Sequence, residues 1–171
     1  MVKLSHNSFQ NIAKDLVKNK QTREELVLSF NEETAIFEVS AVFDKPRRSG
    51  ILLCSLGGKL YGVPFSLSKI KPDTSGRTKP IICDFCFTRQ SGSRVAFITF
   101  KKLARNRSNS WLCCADLGCA GNARGLTVVA QDSVKLLQES INTTQAIDRL
   151  QKHMLRVVET LELTPIEINH V

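Results

Sequence analysis

Four of the six cysteines fall in the spacing C-x2-C-x27-C-x4-C, at Cys83, Cys86, Cys114 and Cys119. Two close cysteine pairs are the signature of a four-thiolate metal site, because a tetrahedral zinc ion takes its ligands two at a time from tight local turns. A chain that must bring both pairs to one point has few topologies open to it. The two residues between Cys83 and Cys86 suit a knuckle, in which the backbone curls round the ion and aims amides at the sulfurs. The second pair is looser, and Cys113 beside Cys114 leaves its register open. Neighbouring residues of a strand face opposite ways, so only one of them can look at a metal. Cys114 is the preferred ligand, with Cys113 as a small apolar residue facing a core.

Other uses of these thiols fit less well. Disulfides need an oxidising compartment, and the opening stretch MVKLSHNSFQNIAK carries no apolar segment of the length a secretory signal requires. A catalytic thiol needs a partner base, yet His6, His153 and His170 lie outside the cysteine region and in no recognisable motif. A closed set of four sulfurs points to structural Zn2+, since a catalytic zinc keeps one position for water. Neither a nucleophile–base pair nor a carboxylate dyad stands out, so the expectation is a protein that is not an enzyme. No apolar run reaches the roughly 20 residues that span a bilayer. The chain therefore reads as a cytoplasmic protein without membrane contact, and as a monomer.

The formal charge of +8 is concentrated in one place. Between residues 69 and 125 there are eleven basic residues, among them Arg89, Arg94, Lys101, Lys102, Arg105, Arg107 and Arg124, against Asp73, Asp84 and Asp116. That local excess equals the charge of the whole chain. A positive face on the metal lobe attracts nucleic acid or an acidic protein surface.

The rest of the sequence predicts one α+β domain: a small antiparallel sheet, N- and C-terminal helices, and a treble-clef-like zinc lobe held by four cysteines. Residues 1–20 form an amphipathic helix, with Phe9, Ile12, Ala13, Leu16 and Val17 at helical spacing. Residues 24–67 are strands: LVLSF, then AIFEVSAVF up to a turn at Asp44-Lys45-Pro46, then a hairpin. In that hairpin ILLCSL and KLYGVPFSL flank Gly57-Gly58, a loop suited to a primed turn, with Cys54 filling core volume. GGK at 57–59 lacks the upstream glycine and the Ser/Thr of a phosphate loop. SKIKPDTSGRTKP at 68–80 is a connection into the lobe, which spans 80–125. Inside the lobe, strands at 95–100 and 110–114 flank a basic loop, and a helical turn at 115–119 carries the last ligands. Helices over 132–163 close the chain: a short one from Asp132 or Ser133 and a longer one capped by Thr143 or Thr144. The longer helix places Ile147, Leu150, Met154, Val157 and Leu161 on one face and leaves His153 on the surface.

CDFCFTRQSGSRV at 83–95 and CADLGCAGNARG at 114–125, with DKPRRSG and GGKLYGV upstream, are similar to a known zinc domain. They resemble the treble-clef domain of proteins that bind elongation factor G, the family that includes the fusidic acid resistance proteins of the FusB type. The resemblance implies Cys83, Cys86, Cys114 and Cys119 as zinc ligands. Arg89, Gln90, Arg94, Asp116, Arg124 and Gly125 match further motif positions, and Asp116 is expected to pair with Arg89, Arg94 or Arg124. Resistance proteins of the family resemble a helical bundle joined to the zinc lobe, whereas here only about the first twenty residues read as helix. The implied function is binding of elongation factor G through the basic lobe, favouring its release from the ribosome and fusidic acid tolerance. The alternative is a zinc finger that binds RNA or the ribosome, including ribosomal RNA, with phosphate contacts from the loop at 101–107 and stacking on Phe100 and Trp111.

Overall fold

The computed structural model describes residues 3–32, 36–70, 81–90, 94–102, 107–127 and 141–167. The expected linker residues 71–80, the tip of the basic loop with Arg105, and the short helix expected from Asp132 lie outside them, as does the side chain of Lys102.

Ser5 opens α1 (His6–Leu16), its hydroxyl accepting from the Ser8 amide at 3.2 Å. Phe9, Ile12 and Ala13 are the buried face, as their spacing requires. Asn19 then caps a second helix, α2 (Lys20–Ser29), through a 3.0 Å bond from the Thr22 amide. The expected strand at LVLSF is therefore helix. Five residues cannot separate a period of 2 from one of 3.6, and the capping Asn19 upstream settles it: Leu26 is fully buried while Leu28 is 83% exposed. Phe30 ends the helix and stacks on Phe9 with ring centroids 4.3 Å apart.

Antiparallel pairing builds the main sheet. β1 (Ser40–Phe43) pairs with β2 (Ser49–Leu56), and β2 pairs with β3 (Lys59–Lys69). The two-residue strands β4 (Ile81–Ile82) and β5 (Arg89–Gln90) pair with each other, apart from it. β3 pairs with β6 (Val95–Lys102), and β6 pairs with β7 (Arg107–Cys114). The resulting order is β1-β2-β3-β6-β7. Gly57 and Gly58, at φ 56° and 75°, make the tight turn of the β2–β3 hairpin. The turn between β1 and β2 is built on Asp44. Its carboxylate accepts from the Arg48 and Ser49 amides at 2.8 and 3.1 Å and from the Ser49 hydroxyl at 2.6 Å. β1 is shorter than AIFEVSAVF suggested, because the chain bends at Glu38 and Val39. β6 and β7 are longer than expected, and Lys101, Lys102 and Arg107 sit in strands rather than in a loop.

Both faces of β2 are buried, which its unbroken apolar run demands. Ile51 and Leu53 pack with Leu60 beneath α1 and α2. Leu52, Cys54 and Leu56 face the other way, into the core shared by the cysteine cluster and the long C-terminal helix (Thr143–Leu161). Gly62 lies close under its neighbours: a Cβ there would stand 2.8 Å from Ile166 Cδ1 and 3.0 Å from Leu16 Cδ1, two side-chain tips that would have to shift. The C-terminal helix is capped one or two residues earlier than expected, at an Asn142–Gln145 capping box with both bonds at 2.9 Å. Leu150, Met154, Val157 and Leu161 are buried and Ile147 packs at the edge, as the apolar stripe indicated. Ahead of it, the five-residue α3 (Cys119–Ala123) follows the sheet, so the long helix is α4.

Candidate metal centre

The first ligand pair sits in a knuckle closed by β4 and β5. The Cys83 amide donates to Thr88 O at 3.1 Å, and the Phe87 amide donates to Cys83 O at 2.9 Å. That turn leaves the Phe85 and Cys86 amides pointing at Cys83 Sγ, at 3.4 and 3.5 Å. It also forces Phe87 to φ 60°, a conformation costly for a bulky side chain. Contacts from α4 hold the ring there: Arg149 Cζ lies 4.5 Å from its centroid and the His153 ring 4.7 Å. His153 is thus half-buried at the helix surface, with one side of its ring packed on Phe87. Burial, with Arg156 and Arg149 nearby, keeps its imidazole below the usual pKa.

The second pair comes from the end of β7 and the start of a helix. Cys114 is the last residue of β7, Ala115 to Gly118 make a turn, and Cys119 opens α3. The helix therefore follows the last ligand instead of ending at it. Asp116 shapes the turn by accepting from the Gly118 amide at 2.9 Å. Among the described residues it has no ion pair, so the expected Asp116–Arg contact is not formed.

All four sulfurs are buried and lie within 4.8 Å of one another. Cys83 and Cys119 are 3.7 Å apart, and Cys86 and Cys114 3.6 Å. A zinc tetrahedron with bonds of about 2.3 Å has edges of about 3.8 Å, so the cluster fits the ion. Cys113 takes the opposite face of β7, fully buried across from Ala96, and its thiol is pushed up by burial. The register is thereby Cys114, not Cys113. Cys54 is likewise buried away from the cluster, its thiol pushed up to about 12.

Three buried polar side chains ring the sulfurs. Gln90 Nε2 and Asn122 Nδ2 point at Cys114 Sγ, at 3.3 and 3.2 Å, and Thr88 Oγ1 lies 3.1 Å from Cys86 Sγ. Asn122 is itself oriented by Thr127, whose hydroxyl donates to Asn122 Oδ1 at 2.5 Å. Such donors stabilise thiolate charge and fix ligand orientation. Within the cluster, hydrogen bonds from the Cys114, Cys119 and Cys83 thiols hold Cys86 well below the usual thiol range, while Cys119 is pushed up. Crowded thiolates repel one another too strongly to ionise together, and a divalent ion that takes the place of the protons resolves the conflict. Asn122 had a sequence signal, since it lies three residues after Cys119 and so on the same helical face. Thr88 and Gln90 sit in the short return from the knuckle.

The remaining site residues separate. Arg94, Lys101 and Arg107 are exposed and Arg89 is half-buried on β5, so these stay on the lobe surface. Arg124 does not. Its two terminal nitrogens make a bidentate ion pair with Glu38 at 2.8 and 2.9 Å, it donates to Ala120 O at 2.9 Å, and its Cζ lies 4.6 Å from the Phe37 ring centroid. It ties α3 to the bend ahead of β1, which is a scaffold role. Phe100 is fully buried and Trp111 packs half-buried against it, while Phe97 on the same hairpin is 43% exposed.

Knuckle, hairpin, then a helix opened by the last ligand is the treble-clef arrangement, and four buried thiolates make its metal structural: the chain is a zinc-finger protein. Residues 43–161 match the family model described as FBP C-terminal treble-clef zinc-finger, and the chain belongs to that family, which is the FusB-type domain. Helices α1 and α2 lie ahead of the matched stretch. Comparison with curated proteins and with solved structures returned no match. Among the described residues no helix is long and apolar enough to cross a membrane.

Proposed function

We propose that this protein is a non-enzymatic, cytoplasmic binding module that docks on elongation factor G through its zinc lobe. The observation that carries the reading is the match of residues 43–161 to the FusB-type zinc finger, with all four thiolates in place. The metal holds a shape, and the work is done by the surface that shape presents. Release of the factor from the ribosome follows if this protein prefers the factor's released conformation, because a ligand shifts an equilibrium only by its differential affinity for the two states. Fusidic acid tolerance is the expected consequence wherever the drug stalls the factor. The RNA-binding alternative loses Phe100, which is fully buried, as a stacking surface.

The test is titration of purified elongation factor G against the zinc-loaded, RNase-treated chain at moderate salt. A saturable complex is expected. Absence of a complex under those conditions overturns the reading.

A further inference from the structure

Beside the zinc cluster, at the end of the sheet, lies a cleft of about 430 Å³ whose wall carries three cations, Arg47, Lys69 and Arg94. They come from three separate elements: the β1–β2 turn, the last residue of β3, and the residue just ahead of β6. Among the described residues none of the three has a carboxylate partner, in contrast to Arg124. Arg47 is held with unusual care. It sits at φ 52°, where only glycine is at ease, in the turn locked by Asp44, and its guanidinium lies 4.0 Å from the Phe43 ring centroid. A strained backbone that fixes a cation at the mouth of a cleft points to a binding role.

Three of the cleft's polar residues are already engaged, because the Gln90 and Asn122 amides face Cys114 Sγ and the Thr127 hydroxyl donates to Asn122 Oδ1. That leaves the three cations and Asp116, which gives one oxygen to the Gly118 amide and keeps the other for an incoming donor. We infer that this cleft seats an Asp or Glu side chain of an acidic protein segment, its carboxylate among Arg47, Lys69 and Arg94 and a neighbouring backbone N–H on Asp116. The inference deepens the proposed function and rests on the reading of this chain as a protein-binding module. The lining favours a peptide over RNA: a phosphate chain repeats its charge at every nucleotide and would set one against Asp116. A single carboxylate meets three donors, and guanidinium groups favour that planar partner.

The experiment compares the full zinc-loaded chain with Arg94→Gln, Lys69→Gln and Arg47→Gly, the last chosen because glycine suits the positive φ. Lys14→Gln on α1 serves as the control. Each protein is titrated with elongation factor G, with a decapeptide carrying one central Glu among Gly and Ser, and with a 12-nucleotide single-stranded RNA, across a salt series. Each cleft variant is expected to weaken factor and peptide binding about tenfold, the scale of a lost hydrogen bond to a charged group, and to flatten the salt dependence. Lys14→Gln should leave both unchanged. Factor binding that survives all three cleft substitutions sinks the cleft and leaves the proposed function standing. A wild-type chain that binds peptide but not the factor supports the cleft and overturns the factor as partner. If the wild type takes neither factor nor peptide, or if the cleft substitutions abolish RNA binding while peptide never binds, the carboxylate assignment is wrong.

Discussion

One sheet is covered on its two faces by different kinds of chemistry. Under α1 and α2 the cover is ordinary: Phe9, Ile12, Leu26 and Phe30 close over Ile51, Leu53 and Leu60. On the opposite side α4 shares the cover with the zinc lobe, whose parts outside the β6–β7 hairpin are two-residue strands, a five-residue helix and irregular turns. Those elements are too short to stand by their own hydrogen bonds. Four sulfurs occupy the place where a larger domain would put leucines. The difference teaches where strain can be tolerated: among the described residues Arg47, Phe87 and Leu117, three of the four non-glycine residues at positive φ, lie in the matched zinc-finger stretch, and none lies in the α1–α2 layer.

The contrast breaks most sharply at the metal. Cys83→Ser or Cys119→Ser should lose zinc and collapse the lobe, since structural zinc contributes on the order of 10 kcal/mol of apparent binding free energy. The expected reading is less than one zinc per chain by elemental analysis, with α1 and α2 still helical by circular dichroism. Full zinc content in both variants would refute the ligand set. Phe9→Ala attacks the other face and should cost about 3–5 kcal/mol of stability while zinc stays bound. Zinc loss in that variant would mean the two faces are one cooperative unit and not two.

How much of this was legible in the sequence follows the same division. The zinc ligands declare themselves, because metal spacing is a local pattern that packing cannot override. The Gly57-Gly58 hairpin and the α4 stripe are legible for the same reason. The α2 helix was not, since LVLSF is a run of apolar and aromatic residues too short to show a helical period, and only Asn19 argues otherwise. The role of Arg124 was beyond reach: its partner Glu38 is 86 residues away, and nothing in either local sequence names the other.

That ion pair sharpens the comparison, because it stitches the zinc lobe to the bend ahead of β1. Burial alone would raise the Glu38 carboxyl, but the hydrogen bonds and charge of Arg124, with help from Gln151, bring it below its ordinary value of 4.5. Its stabilising contribution is therefore complete above that ordinary value and is lost as pH falls through the lowered one. Glu38→Gln should cost about 3 kcal/mol at pH 7 by leaving Arg124 unpaired. The gap in melting temperature between variant and wild type should hold down to about pH 5 and close in stronger acid. A gap that does not change with pH would show that packing, not charge, is what Glu38 supplies. Asn122→Ala is milder. Removing the amide from Cys114 should weaken zinc about 10- to 100-fold in a chelator competition, with the fold intact at saturating metal.

The smallest expected effects belong to Cys54 and Cys113, and they separate core thiols from ligand thiols. All six cysteines are free and buried, so burial alone does not distinguish them. What does is the source of their inertness. Cys54 and Cys113 are held neutral by burial, and Cys54 at about 12 has almost no thiolate at pH 8. The four ligands are protected by the metal instead. Alkylation at pH 8 should modify no cysteine of the zinc-loaded chain, four after chelation, and all six only in denaturant. Cys113→Ala and Cys54→Ala should each cost about 1 kcal/mol and leave one zinc per chain, a cavity the size of one sulfur being all that is lost. If Cys113→Ala releases zinc and Cys114→Ala does not, β7 is out of register by one residue, and every side chain from Arg107 to Cys114 has been assigned to the wrong face.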